Sequence, residues 1–373
     1  MTDLAQRRVT IPGRRQRVTI SDLAESLGLA KGTVSRALNG YPDISESTRL
    51  RVKHAAEAMG YSPLSHAQAI RTGVVRSVGL VLQTTEHDGH RPFLASFLAG
   101  ISEAASEADW SLTLATASSN EDTERVLGRL VGAHKADGFI LPRTYMDDPR
   151  IDFLKKNHVP FVLFGRTRDP EGCAWYDIES EVAIEEAVCI LYGLGHRRIG
   201  FVPGRDGYTF SELRLEGYRS GLAMCGLPDA PELIGQGALN PEAGEAAARE
   251  LLTLENPPTA LVFSADRAAF GGYTAAETLG LKIGRDVSVV SYDGLLEGGM
   301  LSPALSTFSV DMRQAGVRLT ELLIRRIRGE APEDLRELAQ ARFVARGSHG
   351  QPSMSPAELA RRVSKELKSQ GRN

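Results

Sequence analysis

The sequence contains few cysteines, few aromatic residues and no long apolar segment. Its 373 residues include three cysteines, Cys173, Cys189 and Cys225, which lie far apart and form no Cys-x-x-Cys pair. This spacing excludes a disulfide framework and a cysteine-rich zinc site. No stretch approaches the roughly 20 apolar residues that span a membrane. The first twenty residues are rich in arginine but lack the apolar segment of a signal peptide. We therefore expect a cytoplasmic protein with no membrane partner.

Sequence motifs for cofactor binding and catalysis are also missing. Gly193-Leu194-Gly195-His196 lacks the third glycine of a dinucleotide-binding loop and precedes a predicted strand. His87-Asp88-Gly89-His90 is interpreted as a polar loop, because no further metal ligands follow at a suitable spacing. Neither a nucleophile elbow nor an H-E-x-x-H motif occurs. We expect no enzymatic activity, no cofactor and no metal.

The net charge of −3 is divided unevenly along the chain. Residues 1–76 hold 12 Lys and Arg against 6 Asp and Glu, a net of +6, whereas the other 297 residues hold 32 against 41, a net of −9. A small basic unit joined to a large acidic one indicates a nucleic-acid-binding head on a larger body. A basic terminus without fixed structure is the alternative that charge alone leaves open.

Residues 18–61 contain three short helical patterns. The first begins with Thr19 and Asp22, whose spacing resembles a capping box. The second runs over about 31–39 and is short enough to fit the major groove of DNA. A tight Gly28-Leu29-Ala30 turn joins the first two helices. This arrangement predicts a helix-turn-helix DNA-binding domain.

Apolar runs alternate with amphipathic segments in residues 77–346. Strands are predicted at 77–83, 111–116, 137–141, 159–164, 197–203, 259–263 and 286–291, and helices near 93–108, 121–134, 179–193, 210–226, 241–254 and 265–280. This alternation is typical of doubly wound parallel sheets, and the number of units predicts two lobes with a cleft between them. The last stretch, 305–346, reads as strand, long helix (311–328) and strand, and could cross back between the lobes.

Three further segments complete the predicted organisation. Residues 1–17 form a basic arm without predicted structure, and residues 62–76 form a linker with a short, marginal hinge helix. Residues 347–373 form a tail, in which Ser355-Pro356-Ala357-Glu358 is a capping box that opens a short helix. Its apolar stripe consists of Leu359, Val363 and Leu367. Because this stripe is shorter than the three or four heptads that support a coiled coil, we favour a dimer over a tetramer.

The head carries a specific sequence pattern. Residues 18–40 read V-T-I-S-D-L-A-E-S-L-G-L-A-K-G-T-V-S-R-A-L-N-G, followed by I-S-E-S-T-R-L-R-V and A-A-E-A-M-G-Y-S-P. Here the chain resembles the LacI/GalR family of bacterial transcription regulators. Further matching motifs are R-T-G at 71–73, G-L-V-L at 79–82, P-F at 92–93, L-G-H-R-R-I-G-F-V at 194–202, R-L-E-G-Y at 214–218, P-T-A at 258–260, D-V-S-V-V-S-Y-D at 286–293 and V-A-R-G-S at 344–348. The resemblance implies an all-α helix-turn-helix head and a two-lobed α/β body like that of periplasmic sugar-binding proteins.

For the head, the resemblance implies that the second helix lies in the major groove. The groove-facing candidates are Lys31, Gly32, Thr33, Ser35 and Arg36, and the candidates for phosphate positioning are Thr19, Ser35, Asn39, Tyr41 and Thr48. Arg36 can donate two hydrogen bonds to guanine O6 and N7, and Lys31 can reach a base or a phosphate. Ordinary helix surface remains the alternative for Thr33 and Ser35.

The chain departs from the family pattern at several DNA-facing positions. Ala30 replaces the small hydroxyl residue that usually caps the second helix, and Gly32 stands where a reading side chain is common. We therefore expect fewer direct base contacts from this helix, and a specificity that depends on Lys31, Arg36 and DNA shape. In the hinge, Ala67 and Ile70 match the helix whose apolar side chain wedges into the minor groove, although Ile70 could equally pack in a dimer core. Gln68 stands where arginine is usual.

For the body, the resemblance aligns Arg214 and Asp293 with the pair that holds an effector. Arginine donates to hydroxyl oxygens and aspartate accepts from hydroxyls, which fits a polyol. Candidate stacking rings, each equally compatible with a core position, are Phe93, Trp175, Tyr208, Phe210, Tyr273 and Tyr292. Ala265 replaces an asparagine common in sugar-binding members. Arg166 either faces the cleft or forms a surface ion pair.

These observations predict a homodimeric, nucleoid-associated regulator, a repressor of carbohydrate genes that binds a pseudo-palindromic operator. Its partners are double-stranded operator DNA and a mono- or oligosaccharide effector. Effector binding would close the lobes, change the spacing of the paired hinge helices and so melt them, which releases the DNA. Effectors of other kinds, namely a nucleobase, an amino acid or a phosphosugar, remain open, as does the sign of the response. A solute-binding protein with an incidental basic head is the alternative from another class.

Overall fold

The computed structural model describes residues 18–61, 73–83 and 94–370. Contacts divide the chain between Val75 and Arg76 into a small N-terminal unit and a large C-terminal unit. The predicted basic arm (1–17), the hinge positions Ala67, Gln68 and Ile70, and Phe93 lie outside the described residues.

The small unit, described over residues 18–61, consists of three helices. They span Ile20–Leu27 (α1), Lys31–Leu38 (α2) and Glu46–Met59 (α3). The capping box predicted for α1 is confirmed: Thr19 Oγ1 accepts the amide of Asp22 at 3.3 Å, and Asp22 Oδ2 accepts the amide of Thr19 at 2.7 Å. Gly28 ends α1 at a φ of 63°, which glycine adopts without steric cost. Leu23, Val34 and Val52 form the centre of the core.

The first lobe of the large unit contains a parallel sheet. Its strands in the described residues are Ser77–Gln83 (β1), Ser111–Ala117 (β2), Gly138–Pro142 (β3), Phe161–Phe164 (β4), Ala174–Ile178 (β5) and Arg336–Ala339 (β10), in the order β10-β5-β4-β3-β1-β2. Helices Leu94–Glu107 (α4), Asn120–Gly132 (α5), Pro149–Lys156 (α6) and Met312–Ile327 (α11) accompany it. Two apolar clusters pack against this sheet, as expected for a buried parallel sheet.

The second lobe contains a second, mostly parallel sheet. Its described strands are Ile199–Val202 (β6), Ala260–Phe263 (β7), Ser288–Asp293 (β8), Ser306–Ser309 (β9) and Arg342–Val344 (β11), in the order β11-β9-β8-β7-β6 with β11 antiparallel to β9. The accompanying helices are Ser180–Gly193 (α7), Thr209–Met224 (α8), Pro241–Leu252 (α9), Asp266–Thr278 (α10) and Pro356–Gln370 (α12). Short 3-10 helices cover Pro231–Leu233, Leu296–Met300 and Pro332–Asp334. The predicted fold class is therefore confirmed.

Within residues 94–370 the chain passes between the lobes three times. It crosses from β5 to α7, from β9 to α11 and from β10 to β11. The crossing between lobes that was predicted for residues 305–346 is thus confirmed. In place of the one strand predicted at the end of this stretch, the structure has two, β10 and β11, which lie in different sheets.

The sequence pattern does not predict β5 or α6. The apolar run at β5 is short, because Asp177 interrupts it after Tyr176. α6 has only eight residues and three of them are basic, and its amphipathic signal is short. Both elements form because neighbouring strands and helices supply their partners.

The C-terminal residues, predicted as a tail with a short helix, pack on the second lobe. α12 has 15 residues, and Ser355 Oγ accepts the amide of Glu358 at 3.4 Å in the expected cap. Leu359 and Val363 are buried in a core cluster of that lobe, and half-buried Leu367 packs against the same cluster. The apolar stripe therefore contributes to the core of its own subunit. None of the described helices has the length and apolar composition needed to traverse a bilayer.

Candidate functional site

α2 presents one polar face to solvent. Val34 and Ala37 are buried in the head, whereas Lys31, Gly32 and Arg36 are exposed. Thr33 and Ser35 are half-buried, at the border between the two faces. As expected from its sequence, Ala30 gives α2 no side-chain cap.

Arg36, the strongest candidate for base recognition, has two partners in the head. Its guanidinium forms an ion pair with the Asp43 carboxylate, and its Cζ atom lies 5.6 Å from the centre of the Tyr41 ring. Arg49 Nη2 donates to the Tyr41 carbonyl at 3.1 Å and so holds the loop that carries these partners. The Arg36 side chain is still 53% exposed, so it is accessible to a ligand.

The remaining phosphate-positioning candidates lie at helix ends. Thr19 Oγ1 donates to Asp22 Oδ2 at 2.9 Å as part of the cap of α1. Thr48 Oγ1 lies 2.8 Å from the hydroxyl oxygen of Ser45 at the start of α3. Asn39 Nδ2 donates to the Ser35 carbonyl at 2.6 Å. These contacts fix the side chains at the ends of the three helices of the head.

A cavity of about 180 Å³ lies between the two lobes of the large unit. Part of its polar lining lies at or just after the carboxyl ends of parallel strands, where α/β proteins usually bind ligands. Arg143 follows β3, Arg166 follows β4, Asp177 belongs to β5, Arg267 follows β7, and Asp293 ends β8. Side chains that are distant in sequence therefore converge on one pocket.

Arg214 lies between two aromatic rings in this pocket. Its Cζ atom is 3.9 Å from the centre of the Tyr292 ring and 4.8 Å from that of Phe210. Nη1 donates to the Ser264 carbonyl. The Nε atom is buried, and nothing in the described part of the chain accepts a hydrogen bond from it. An unpaired buried donor is costly, so a ligand acceptor at this position would stabilise the site.

Asp293 has an unusual backbone conformation, with a φ of 128°. Asp266 stabilises the turn that follows, because its carboxylate accepts the amides of Gly294 at 2.9 Å and Leu295 at 2.7 Å. Strain of this kind is common at ligand sites, where the surrounding structure maintains it. Burial, opposed by the Arg214 cation, raises the pKa of Asp293 to about 7. Burial also raises the pKa of Asp266 to about 6.

Arg166 lines the pocket and is also ion-paired. Nε donates to Asp177 Oδ2 at 2.6 Å, and Nη2 donates to Glu181 Oε1 at 2.8 Å. Burial opposes its charge, but the hydrogen bonds to Glu181 and Asp177 raise the pKa of Arg166. Because Asp177 belongs to the first lobe and Glu181 to the second, this arginine joins the lobes beside the pocket.

Two residues predicted to bind effector lie elsewhere. Trp175 lies on the same face of β5 as Asp177 but two residues further from the carboxyl end of the strand, where it packs against the core of the first lobe and does not line the cavity. Tyr273 packs in the second lobe, and its hydroxyl donates to the Pro303 carbonyl at 2.8 Å. These two assignments are corrected. Phe210 and Tyr292 line the pocket, and Tyr208 stacks on Phe210 behind it.

The sequence interpretation missed several residues that line the pocket, namely Arg143, Thr144, Asp177, Thr209 and Arg267. Arg143 and Thr144 follow a predicted strand, and this position could have indicated them, because ligands bind at this edge of parallel sheets. Asp177 lies on a strand that the sequence does not predict, and Thr209 and Arg267 lie in the first turns of helices. Within the described ranges, no group of three His, Cys, Asp or Glu side chains is placed to hold a metal ion.

Two family models match the chain. The model described as "Bacterial regulatory proteins, lacI family" matches residues 19–64, which cover the three-helix head. The model described as "Periplasmic binding proteins and sugar binding domain of LacI family" matches residues 75–346, which cover both lobes and the pocket.

Individual proteins are similar over nearly the whole chain. The HTH-type transcriptional regulator AglR of Rhizobium meliloti (strain 1021) is 36% identical, over 91% of this chain and 96% of that protein. The HTH-type transcriptional regulator CelR of Thermobifida fusca is 31% identical, over 90% of this chain and 99% of that protein. The solved structure of a transcriptional regulator CelR-cellobiose complex is similar with a TM-score of 0.69 at 29% identity, covering 89% of this chain and 100% of that one. The chain belongs to the LacI family of bacterial regulatory proteins.

Proposed function

We propose that this protein is a homodimeric repressor of carbohydrate genes, which binds a pseudo-palindromic operator and responds to a sugar bound between its lobes. It acts on DNA in the cytoplasm and catalyses no reaction; its relatives are named as transcriptional regulators. The observation that carries the effector assignment is the arrangement of Arg214 and Asp293 in one pocket.

The chemistry of the pocket fits a carbohydrate. The unpaired Nε of Arg214 offers a donor, the Asp293 carboxylate offers an acceptor, and both line the same cavity. Hydroxyl groups on neighbouring sugar carbons can accept from the first and donate to the second. Apolar side chains such as Phe97, Phe164 and Phe210 provide faces against which sugar C–H groups can pack. The solved relative named as a cellobiose complex supports a disaccharide as the first candidate.

A phosphosugar is the second candidate, because the pocket is rich in cations. Of the described lining residues, four are arginines and two are aspartates. The side chain of Arg267 forms no hydrogen bond or ion pair to any other described residue, which leaves its cation available for an anionic group. Arginine recognises phosphate through two parallel hydrogen bonds.

The DNA-binding assignment rests on the exposed face of α2. Lys31 and Arg36 supply cations that can reach bases or phosphates, and the head core positions them on a short helix. For the dimer, Leu296 and Met300 are 84% and 82% exposed on one 3-10 helix of the second lobe. Apolar side chains exposed to this extent support a contact with a second copy.

Two measurements test the proposal. Sheared genomic DNA is captured with the purified protein and sequenced, with Arg36→Ala as the matched control. Enrichment of a palindrome by the wild type alone supports the repressor assignment; equal recovery of all sequences at low salt contradicts it. Thermal unfolding is then followed with cellobiose, maltose and glucose 6-phosphate. Stabilisation by a disaccharide supports the first candidate and stabilisation by the phosphosugar alone supports the second.

A further inference from the structure

Two loops, one from each lobe, join across the cleft next to the pocket. The amide of Thr209 donates to the Thr144 carbonyl at 3.0 Å, and the amide of Met146 donates to the Gly207 carbonyl at 3.2 Å. Residues 144–146 follow β3 of the first lobe, and residues 207–209 lead into α8 of the second. Tyr145 and Tyr208 thereby form an isolated antiparallel bridge between lobes that otherwise have separate sheets.

Aromatic rings reinforce this bridge. The rings of Tyr145 and Tyr208 stack with centroids 4.9 Å apart and an interplanar angle of 22°. Tyr208 stacks in turn on Phe210 at 5.3 Å, and Arg143 Cζ lies 6.0 Å from the centre of the Tyr208 ring. Because Phe210 and Arg143 line the pocket, the bridge is in direct contact with the lining.

The loop of the first lobe is held firmly in place. Thr167 Oγ1 donates to the Met146 carbonyl at 3.0 Å, and the Tyr145 amide donates to Asp148 Oδ2 at 3.2 Å. Asp148 is itself buried and paired with Arg150. The loop of the second lobe begins the helix that carries Arg214. A movement that widens the cleft at this point therefore has to separate the two loops.

We propose that residues 144–146 and 207–209 form an interlobe clasp, in which Tyr145 and Tyr208 are positioning residues that set how long an effector stays bound. This inference rests on the proposed effector function of the pocket. The three covalent crossovers persist in any arrangement of the lobes, whereas the two hydrogen bonds and the ring stack of the clasp exist only when the loops meet. Their free energy therefore favours the closed arrangement selectively, and a ligand leaves when the clasp opens.

Substitution of the rings separates this role from general packing. Tyr208→Ala removes the stack, and we expect an effector to dissociate about three- to tenfold faster, which corresponds to the usual contribution of one aromatic pair. Tyr208→Phe retains the ring and should restore the wild-type rate. Tyr145→Ala, which changes the other lobe, should reproduce the effect. Tyr192→Ala is the matched control. Tyr192 lies on α7, and its ring packs on Arg197 and not on the clasp.

The experiment uses the full-length protein and two readouts. Hydrogen exchange followed by mass spectrometry reports on peptides over 144–148 and 207–212, whose clasp amides donate between lobes. Exchange about three- to tenfold faster in Tyr208→Ala and Tyr145→Ala, but not in Tyr208→Phe or Tyr192→Ala, supports the clasp. Exchange at the wild-type rate in both alanine variants overturns it, with circular dichroism showing that each variant is folded.

Stopped-flow dissociation of cellobiose, and separately of glucose 6-phosphate, gives the second readout. A dissociation rate that is unchanged by Tyr208→Ala overturns the role in effector retention. If neither probe binds the wild type while exchange at the clasp responds to the substitutions, the clasp is supported and the proposed effectors are wrong. The failure of the clasp and the failure of the proposed function are therefore distinguishable.

Discussion

The backbone amide of Asp266 donates to a carboxylate oxygen of Asp293 at 3.3 Å, while the Asp266 carboxylate accepts the two amides that follow Asp293. Asp266 is completely buried at the start of α10, and Asp293 ends β8. One aspartate thus anchors the strained turn from which the other reaches the pocket.

Asp293→Ala should abolish the response to effector and leave operator binding intact. The substitution removes the acceptor that the strained turn presents to the pocket, whereas the head has its own core. The measurement is operator binding with and without the sugar that stabilises the wild type. Asp229→Ala, which breaks an exposed ion pair with Arg219 on the same lobe, is the matched control. An Asp293→Ala protein that responds at the wild-type sugar concentration would refute the assignment.

Effector affinity should rise with pH through about 7. Burial raises the pKa of Asp293 to about 7, so below this pH the carboxyl is increasingly protonated. The ionised carboxylate is the stronger acceptor for ligand hydroxyls, so binding favours this form, lowers the pKa of Asp293 and releases a proton. We expect affinity to fall by at most about tenfold for each pH unit below 7. Calorimetry in buffers of different ionisation enthalpy checks the proton release, and zero release at pH 6.5 contradicts it.

Arg36→Ala should abolish the preference for operator over bulk DNA. A bidentate contact to guanine contributes about 1–3 kcal/mol of discrimination, and Arg36 is the exposed arginine on α2. Competition binding against random DNA measures the ratio. Arg36→Lys keeps the charge but not the planar pair of donors, so it should retain affinity at low salt and lose discrimination. An unchanged ratio in both variants would exclude a reading role.

Truncation after Gly350 should destabilise the second lobe and leave the oligomeric state unchanged. The deleted helix α12 places Leu359 and Val363 in the lobe core, where both are almost fully buried. Leu359→Ala should lower the free energy of unfolding by about 2–5 kcal/mol, the usual effect of replacing a buried leucine by alanine. Leu367→Ala is the control. Because Leu367 is only half-buried, this substitution should lower the free energy of unfolding by less. Sedimentation showing a tetramer that this truncation abolishes would contradict the intramolecular role.

Much of the site could be predicted from local patterns. The capping box of Thr19 and Asp22, the turn at Gly28 and the exposed face of α2 depend on residues within a few positions of one another. The prediction that Arg214 and Asp293 both belong to an effector site agrees with their place in the pocket. It rested on family resemblance, because no spacing along the chain brings these residues together.

Ring positions were the least predictable part of the site. Trp175 lies among consecutive apolar residues in a short strand, and the sequence does not indicate which face of the sheet it occupies. Tyr273 lies in a helix, and from its sequence position the ring could pack in the core or face the cleft. In the structure its hydroxyl donates to the Pro303 carbonyl. In both cases burial depended on neighbouring elements distant in sequence.

The sequence by itself determined the helix-turn-helix head and the alternation of strands and helices in the body. Short-range capping, glycine turns and apolar periodicity specify these elements. Only the tertiary structure decided that Arg143, Arg166, Asp177 and Arg267 share a pocket, that Tyr145 meets Tyr208, and that the stripe on α12 is buried in its own subunit. The reason is that parallel strands bring their carboxyl ends to one edge of a sheet, whatever their separation along the chain.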